Sequence, residues 1–100
     1  MDPVRILVVD DEPGMRLGVE RTLRNFTLRL PDFEDEVTFA ITQATSGEEA
    51  LQLIEAEQPD IMLLDHKMGG MSGLDVLDAL GPKLREILTV MITAYASLET

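Results

Sequence analysis

The residues best suited to chemistry are three aspartates that each end an apolar run. Asp10 and Asp11 follow Val4–Val9, and Asp65 follows the IMLL of residues 61–64. A carboxylate at the end of a buried strand is costly unless something there uses its charge. Hard oxygen donors, in a chain with no cysteine and one histidine, favour Mg²⁺, with Mn²⁺ as the alternative. A partly hydrated cation beside a free carboxylate oxygen is a setting for phosphoryl transfer. Asp65 is then the candidate nucleophile, with Asp10 and Asp11 as metal ligands. The hydroxyl of Thr93, at the end of another apolar run, and the backbone N–H of Ala94 could hold phosphoryl oxygens. Glycines 69, 70 and 73 let the loop after Asp65 pass close to the site.

Each of these residues also has a plainer explanation. Helix capping and the helix dipole would account for one acid among Asp10, Asp11 and Glu12, but three in a row exceed that need. Asp65 could be a loop aspartate bonding nearby amides. Thr93 could be an ordinary strand residue. His66 reads as an exposed loop residue, and the six methionines as packing. What favours chemistry is the recurrence of acids at matching strand ends.

Those strand ends meet only in a particular fold. Val4–Val9, broken only by Arg5, reads as a strand buried on both faces. Pro13 suits the first turn of a helix. Met15, Val19, Leu23 and Phe26 then recur at helical spacing, with Arg16, Glu20, Arg21 and Arg24 as its polar face. Residues 27–36 read as an acidic connection broken by Pro31, long for a loop joining helix to strand. Val37, Phe39 and Ile41 alternate with Thr38 and Thr42, which marks an edge strand. Ser46 and Glu49 have the spacing of a capping box, and the helix they open turns Ala50, Leu51, Leu53 and Ile54 inward before Pro59 ends it.

Residues 60–65 form a third strand. Ser72, with Asp75 in the first turn, starts a helix whose Leu74, Leu77 and Leu80 face inward, and Gly81-Pro82 stops it. ILTVMIT, residues 87–93, is a fourth strand, and residues 94–100 a loop leading into a helix capped by Ser97. The order βαβαβαβ implies an α/β fold with a parallel sheet and right-handed crossovers. All strand C-termini of a parallel sheet lie on one rim, so Asp10, Asp11, Asp65 and Thr93 share it.

Composition narrows the function. With 8 basic and 19 acidic residues the net charge is −11. That disfavours nucleic acid and anionic membranes and suits cations and basic partner surfaces. The absence of cysteine excludes disulfides and thiolate chemistry. The N-terminal apolar run is too short for a signal sequence or a span, so a cytoplasmic protein is the default expectation.

With these residues in view, the chain resembles a receiver domain of a two-component response regulator, from about Val4 to Thr100. ILVVDDEP resembles the family's first strand and acidic pair, LLDHKMGGMSGLDVL its phosphoacceptor strand and loop, and MITAYAS its fourth strand with a switch hydroxyl. The resemblance implies a flavodoxin-like (CheY-like) sheet of order 2-1-3-4-5. It implies that Asp65 accepts a phosphoryl group from a sensor histidine kinase or a phosphotransfer protein. It further implies that Asp11 and Asp65 ligate Mg²⁺ directly, Asp10 through water and Lys67 through its backbone carbonyl. Thr93 would turn inward to the phosphoryl group, and Lys67 and Tyr95 would tune dephosphorylation. MITAYASLET also resembles the receivers of sigma-54-dependent activators.

The chain departs from the family's pattern in three places. Gly69 stands where the family usually has proline, and the connection after the first helix is longer than usual. The chain is also expected to be an incomplete receiver, ending before the fifth strand, its lysine and any linker or output domain. Lys67 and Lys83 do not stand where that lysine would. The fourth strand would then be a long apolar edge, and the expectation is a homodimer or swapped dimer through it. Besides a phosphoacceptor of impaired competence, the residues allow a non-catalytic binding or dimerisation module with a vestigial metal site. A phosphohydrolase ranks last, because VVDDEP lacks the D-x-D pattern of that group.

Overall fold

A computed structural model of the chain describes residues 2–29, 31 and 36–92. The elements run β1 (Val4–Val9), α1 (Pro13–Arg24), β2 (Leu28–Arg29), β3 (Glu36–Val37), β4 (Phe39–Ala44), α2 (Gly47–Ala56), β5 (Ile61–Asp65), α3 (Gly73–Leu80), a 3₁₀ turn (Gly81–Glu86) and β6 (Leu88–Ile92). Four strands form one parallel sheet in the order β4-β1-β5-β6. This is the expected 2-1-3-4 arrangement. The alternating strand does lie at an edge, as its wet face predicts.

The core lies between the sheet and α2/α3. Leu7, Val9, Met62 and Leu64 from the two central strands meet Ala50 and Ile54 of α2 and Val76 and Leu80 of α3. The residues between them, Ile6 and Val8, point to the opposite face, as the period of two requires, and are also buried. That second face is covered differently. Helix α1 lies on it, yet no residue of α1 is buried.

Several local expectations need correction. The connection after α1 contains a two-residue strand, β2, paired antiparallel with β3 and linked by Arg29 to Glu36 at 3.3 Å. The expected single strand from Val37 is interrupted at Thr38. Leu74 is 53% exposed, and Gly73 and Val76 take the inward positions of α3. The Ser46 box is only half formed. Its hydroxyl accepts from Glu49 N at 3.1 Å, but the Glu49 carboxylate turns to Thr45 N at 2.6 Å. At Ser72 both halves form: its hydroxyl accepts from Asp75 N, and the Asp75 carboxylate accepts from Ser72 N. The fourth strand is described as far as Ile92, and the expected cap Ser97 lies outside the described residues.

Candidate functional site

The parallel register carries β1 and β5 to the same rim. Val9 lies beside Leu64, so the residues that follow each strand diverge from one mouth. Asp10 ends its strand with its N–H donated to the Ala44 carbonyl at 3.2 Å. Its carboxylate accepts from Glu12 N at 2.9 Å, which folds the turn back toward the site. Asp10 is buried, Asp11 exposed and Asp65 half-buried.

Oxygens of the Asp10, Asp11 and Asp65 carboxylates lie within 4.8 Å of one another. Such crowding raises proton affinity where it is felt most. The Asp65 carboxyl is pushed above its ordinary range, first by burial and then by the charge of Asp10, with Asp11 adding to it. The backbone N–H groups of Lys67 and His66 pull the other way.

The loop after β5 is shaped around these acids. Lys67 N points to Asp65 Oδ1 at 3.4 Å, and Gly69 N donates to Asp11 Oδ2 at 3.2 Å. Gly69 therefore supplies an amide that a proline at this position would lack. Gly70 has φ +82°, the left-handed region that glycine tolerates. Gly73 is needed for space: a Cβ there would stand 2.5 Å from the Asp65 carbonyl oxygen. Its N–H donates to the His66 carbonyl at 3.0 Å, closing the loop on itself. His66 is half-buried rather than exposed, and its own N–H reaches the Ile92 carbonyl at 2.9 Å.

A cleft of about 410 Å³ opens over the acids, with Met15 and Ile92 as apolar walls and Glu12 and Lys67 at its lip. A separate apolar pocket of about 250 Å³, walled by Ile6, Leu7, Leu53 and Pro59, shares no residue with it. The donor set fits a hard divalent cation: three carboxylates converge, and the charge of one of them, Asp65, is disfavoured by burial and by the other two acids. The structure thus brings together Asp10, Asp11, Asp65 and Lys67. Thr93, Ala94 and Tyr95 lie outside the described residues.

One residue of the site went unrecognised in the sequence. Arg16, assigned to the polar face of α1, donates from Nη1 to the Asp10 carbonyl at 2.6 Å. Its Nε donates to Gln43 Oε1 of β4 at 3.2 Å. Helical periodicity separates apolar from polar positions but does not say which polar side chain turns back over the N-terminal end of its helix.

A parallel sheet of this order with acids gathered at its rim defines a class, and comparison with known proteins gives the same class. The response regulator receiver domain family matches residues 6–100, and the chain belongs to that family. Among its relatives, the nitrate/nitrite response regulator protein NarL of Escherichia coli is 38% identical over 85 residues. That stretch is 85% of this chain and 33% of NarL, so the chain spans about a third of that relative's length. Sporulation initiation phosphotransferase F of Bacillus subtilis is 33% identical over 95 residues, 95% of this chain and 68% of its own. The solved structure of response regulator TrrA from Thermotoga maritima, in complex with Mg²⁺ and BeF, superposes with TM-score 0.73 at 34% identity. The match covers 93% of this chain and 71% of TrrA. The fold is therefore the flavodoxin-like fold of CheY-like receivers.

Proposed function

We propose that this chain is a phosphoacceptor whose Asp65 takes a phosphoryl group from a phosphohistidine of a sensor kinase or phosphotransfer protein. The observation that carries the reading is the convergence of three carboxylates within 4.8 Å at the strand rim, where burial and the neighbouring acids raise the proton affinity of Asp65. Asp10, Asp11 and Asp65, with the Lys67 carbonyl, would hold Mg²⁺ or Mn²⁺. A bound cation would offset the charge of the acids and of the incoming phosphoryl oxygens.

Asp65 then performs the substitution. One carboxylate oxygen forms the new P–O bond, the P–N bond to the donor imidazole breaks, and the freed nitrogen keeps the electron pair and takes a proton from water. The amide of Lys67 orients that carboxylate. Met15 and Ile92 narrow the solvent approach. Thr93 and the Ala94 N–H are assigned to the phosphoryl oxygens, and Lys67 and Tyr95 to the control of hydrolysis.

The test is a change in the NMR amide spectrum on adding Mg²⁺ with beryllofluoride or a small phosphodonor. The wild type is expected to respond and Asp65→Asn not to. A wild-type spectrum that shifts with Mg²⁺ alone and no further when beryllofluoride or the phosphodonor is added would favour the non-catalytic metal-binding reading.

We also propose that copies of this 100-residue chain associate through β6. Among the described residues β6 lies at a sheet edge, and its Leu88 and Val90 are 65% and 46% exposed. An apolar edge of this kind templates pairing. Sedimentation velocity across a hundredfold concentration range is expected to show a dimer, which Val90→Lys dissociates. A folded monomer throughout that range would refute the association.

A further inference from the structure

Asp10 leads into the peptide that joins two of the proposed metal ligands, and the backbone of Asp10 is held at both its N–H and its carbonyl. On the strand side, Asp10 N is held by the Ala44 carbonyl of β4 at 3.2 Å. On the other, the Asp10 carbonyl is held by Arg16 Nη1 at 2.6 Å. Arg16 is itself moored: its Nε bonds Gln43 Oε1, and Gln43 Nε2 bonds Glu20 Oε1 at 3.1 Å. Gln43 sits in register with Val8, two residues before Asp10. Because a peptide is planar, fixing the Asp10 carbonyl also fixes the direction in which the Asp11 N–Cα bond leaves.

We propose that Arg16 is a positioning residue for the cation site, setting the relative placement of the Asp10 and Asp11 carboxylates through the peptide between them. The inference rests on the metal-binding part of the proposed function. It is distinct from a charge effect, and the two predict opposite signs. A cationic side chain beside the acids repels a second cation, so charge alone says that removing Arg16 tightens metal binding. Positioning says that removing it loosens binding, because partners that orient ligands are commonly worth about 10-fold or more in metal affinity.

Three substitutions separate these effects. Arg16→Met removes both charge and grip while keeping the apolar stem. Arg16→Lys keeps the charge but cannot bond two acceptors in the planar fork that reaches Asp10 and Gln43 together. Gln43→Leu leaves Arg16 in place without its mooring. Mn²⁺ binding, followed by electron paramagnetic resonance with Mg²⁺ competition, is expected to weaken about 10-fold in Arg16→Met. In Arg16→Lys and Gln43→Leu it is expected to weaken by about 3-fold or more.

Melting in EDTA gives the control. A merely structural Arg16 would lower the melting temperature yet leave the dissociation constant of the folded chain unchanged, and that pattern overturns the inference. So does tighter binding in Arg16→Met with unchanged binding in Arg16→Lys. If Arg16→Met does not fold, the Lys and Leu variants decide alone. A wild type that binds neither ion removes the underlying reading and this inference with it, whereas wild-type binding with unaltered variants removes only the inference.

Discussion

The two faces of the sheet are held by different physics. Toward α2 and α3 the contact is apolar and dry, with Met62, Leu64 and Val76 fully buried. Toward α1 the apolar cover is thinner, with Val19 and Leu23 only half-buried, and polar links are added, Arg16 to Gln43 and Gln43 to Glu20. Apolar burial scales with area and tolerates small shifts, whereas hydrogen bonds reward one geometry. The α2/α3 face therefore supplies most of the stability. The α1 face holds the strand-end turn in place for chemistry.

The largest test of this contrast compares an apolar truncation at a buried position of one layer with one at an exposed position of the other. Ile54→Ala, at a position 3% exposed, is expected to cost about 2–5 kcal/mol by urea denaturation. Leu17→Ala on α1, 43% exposed, is expected to cost about 0.5 kcal/mol or less. Comparable losses at the two positions would erase the distinction. Next in size is Gly73→Ala, where the new Cβ meets the Asp65 carbonyl oxygen and neither backbone can yield cheaply. A loss of about 1–3 kcal/mol is expected, together with loss of the beryllofluoride response, since Asp65 itself must shift. A stable Gly73→Ala chain with wild-type response would show that the loop is slack.

Capping extends the contrast. Helices α2 and α3 begin at Ser46 and Ser72, whose hydroxyls accept a backbone N–H, while α1 begins at Glu12 with no side-chain cap. Ser46→Ala is expected to cost about 1 kcal/mol. Glu12→Ala loses no capping bond, so equal destabilisation of the two variants would contradict the assignment.

How much of this was legible depended on which signal each residue carries. The strands and the shared acidic rim followed from apolar runs and from where Asp10 and Asp65 interrupt them. The inward face of α3 was misread because its closest approach is made by Gly73, which carries no hydrophobic signal, while Leu74 beside it does. The β2–β3 pair escaped because two residues per strand cannot show alternation. Arg16 escaped because its partners, a backbone carbonyl and a glutamine on the next strand's edge, leave no pattern in the chain. Glu49 had the spacing of a reciprocal cap, but Thr45 offers it both an amide and a hydroxyl, at 2.6 and 3.0 Å, and wins.

The smallest expected effect tests whether the rim is held at a cost to the fold. Burial and the neighbouring acids raise the Asp65 pKa above its ordinary 3.8, so the folded chain retains a proton that the unfolded chain has lost. Stability from this group is then fully present below about pH 3.8 and is lost as pH rises through the raised value. Without a cation, ionised Asp65 weakens the fold at neutral pH, and Asp65→Asn, which carries no charge, should melt higher than the wild type in EDTA at pH 7. The advantage should shrink toward pH 4. Adding Mg²⁺ should reverse the order, because the wild type gains binding energy that the amide cannot match. If Asp65→Asn melts lower than the wild type in EDTA at pH 7, the carboxylate is supporting the fold rather than straining it, and the division between a stabilising face and a working rim fails at its central residue.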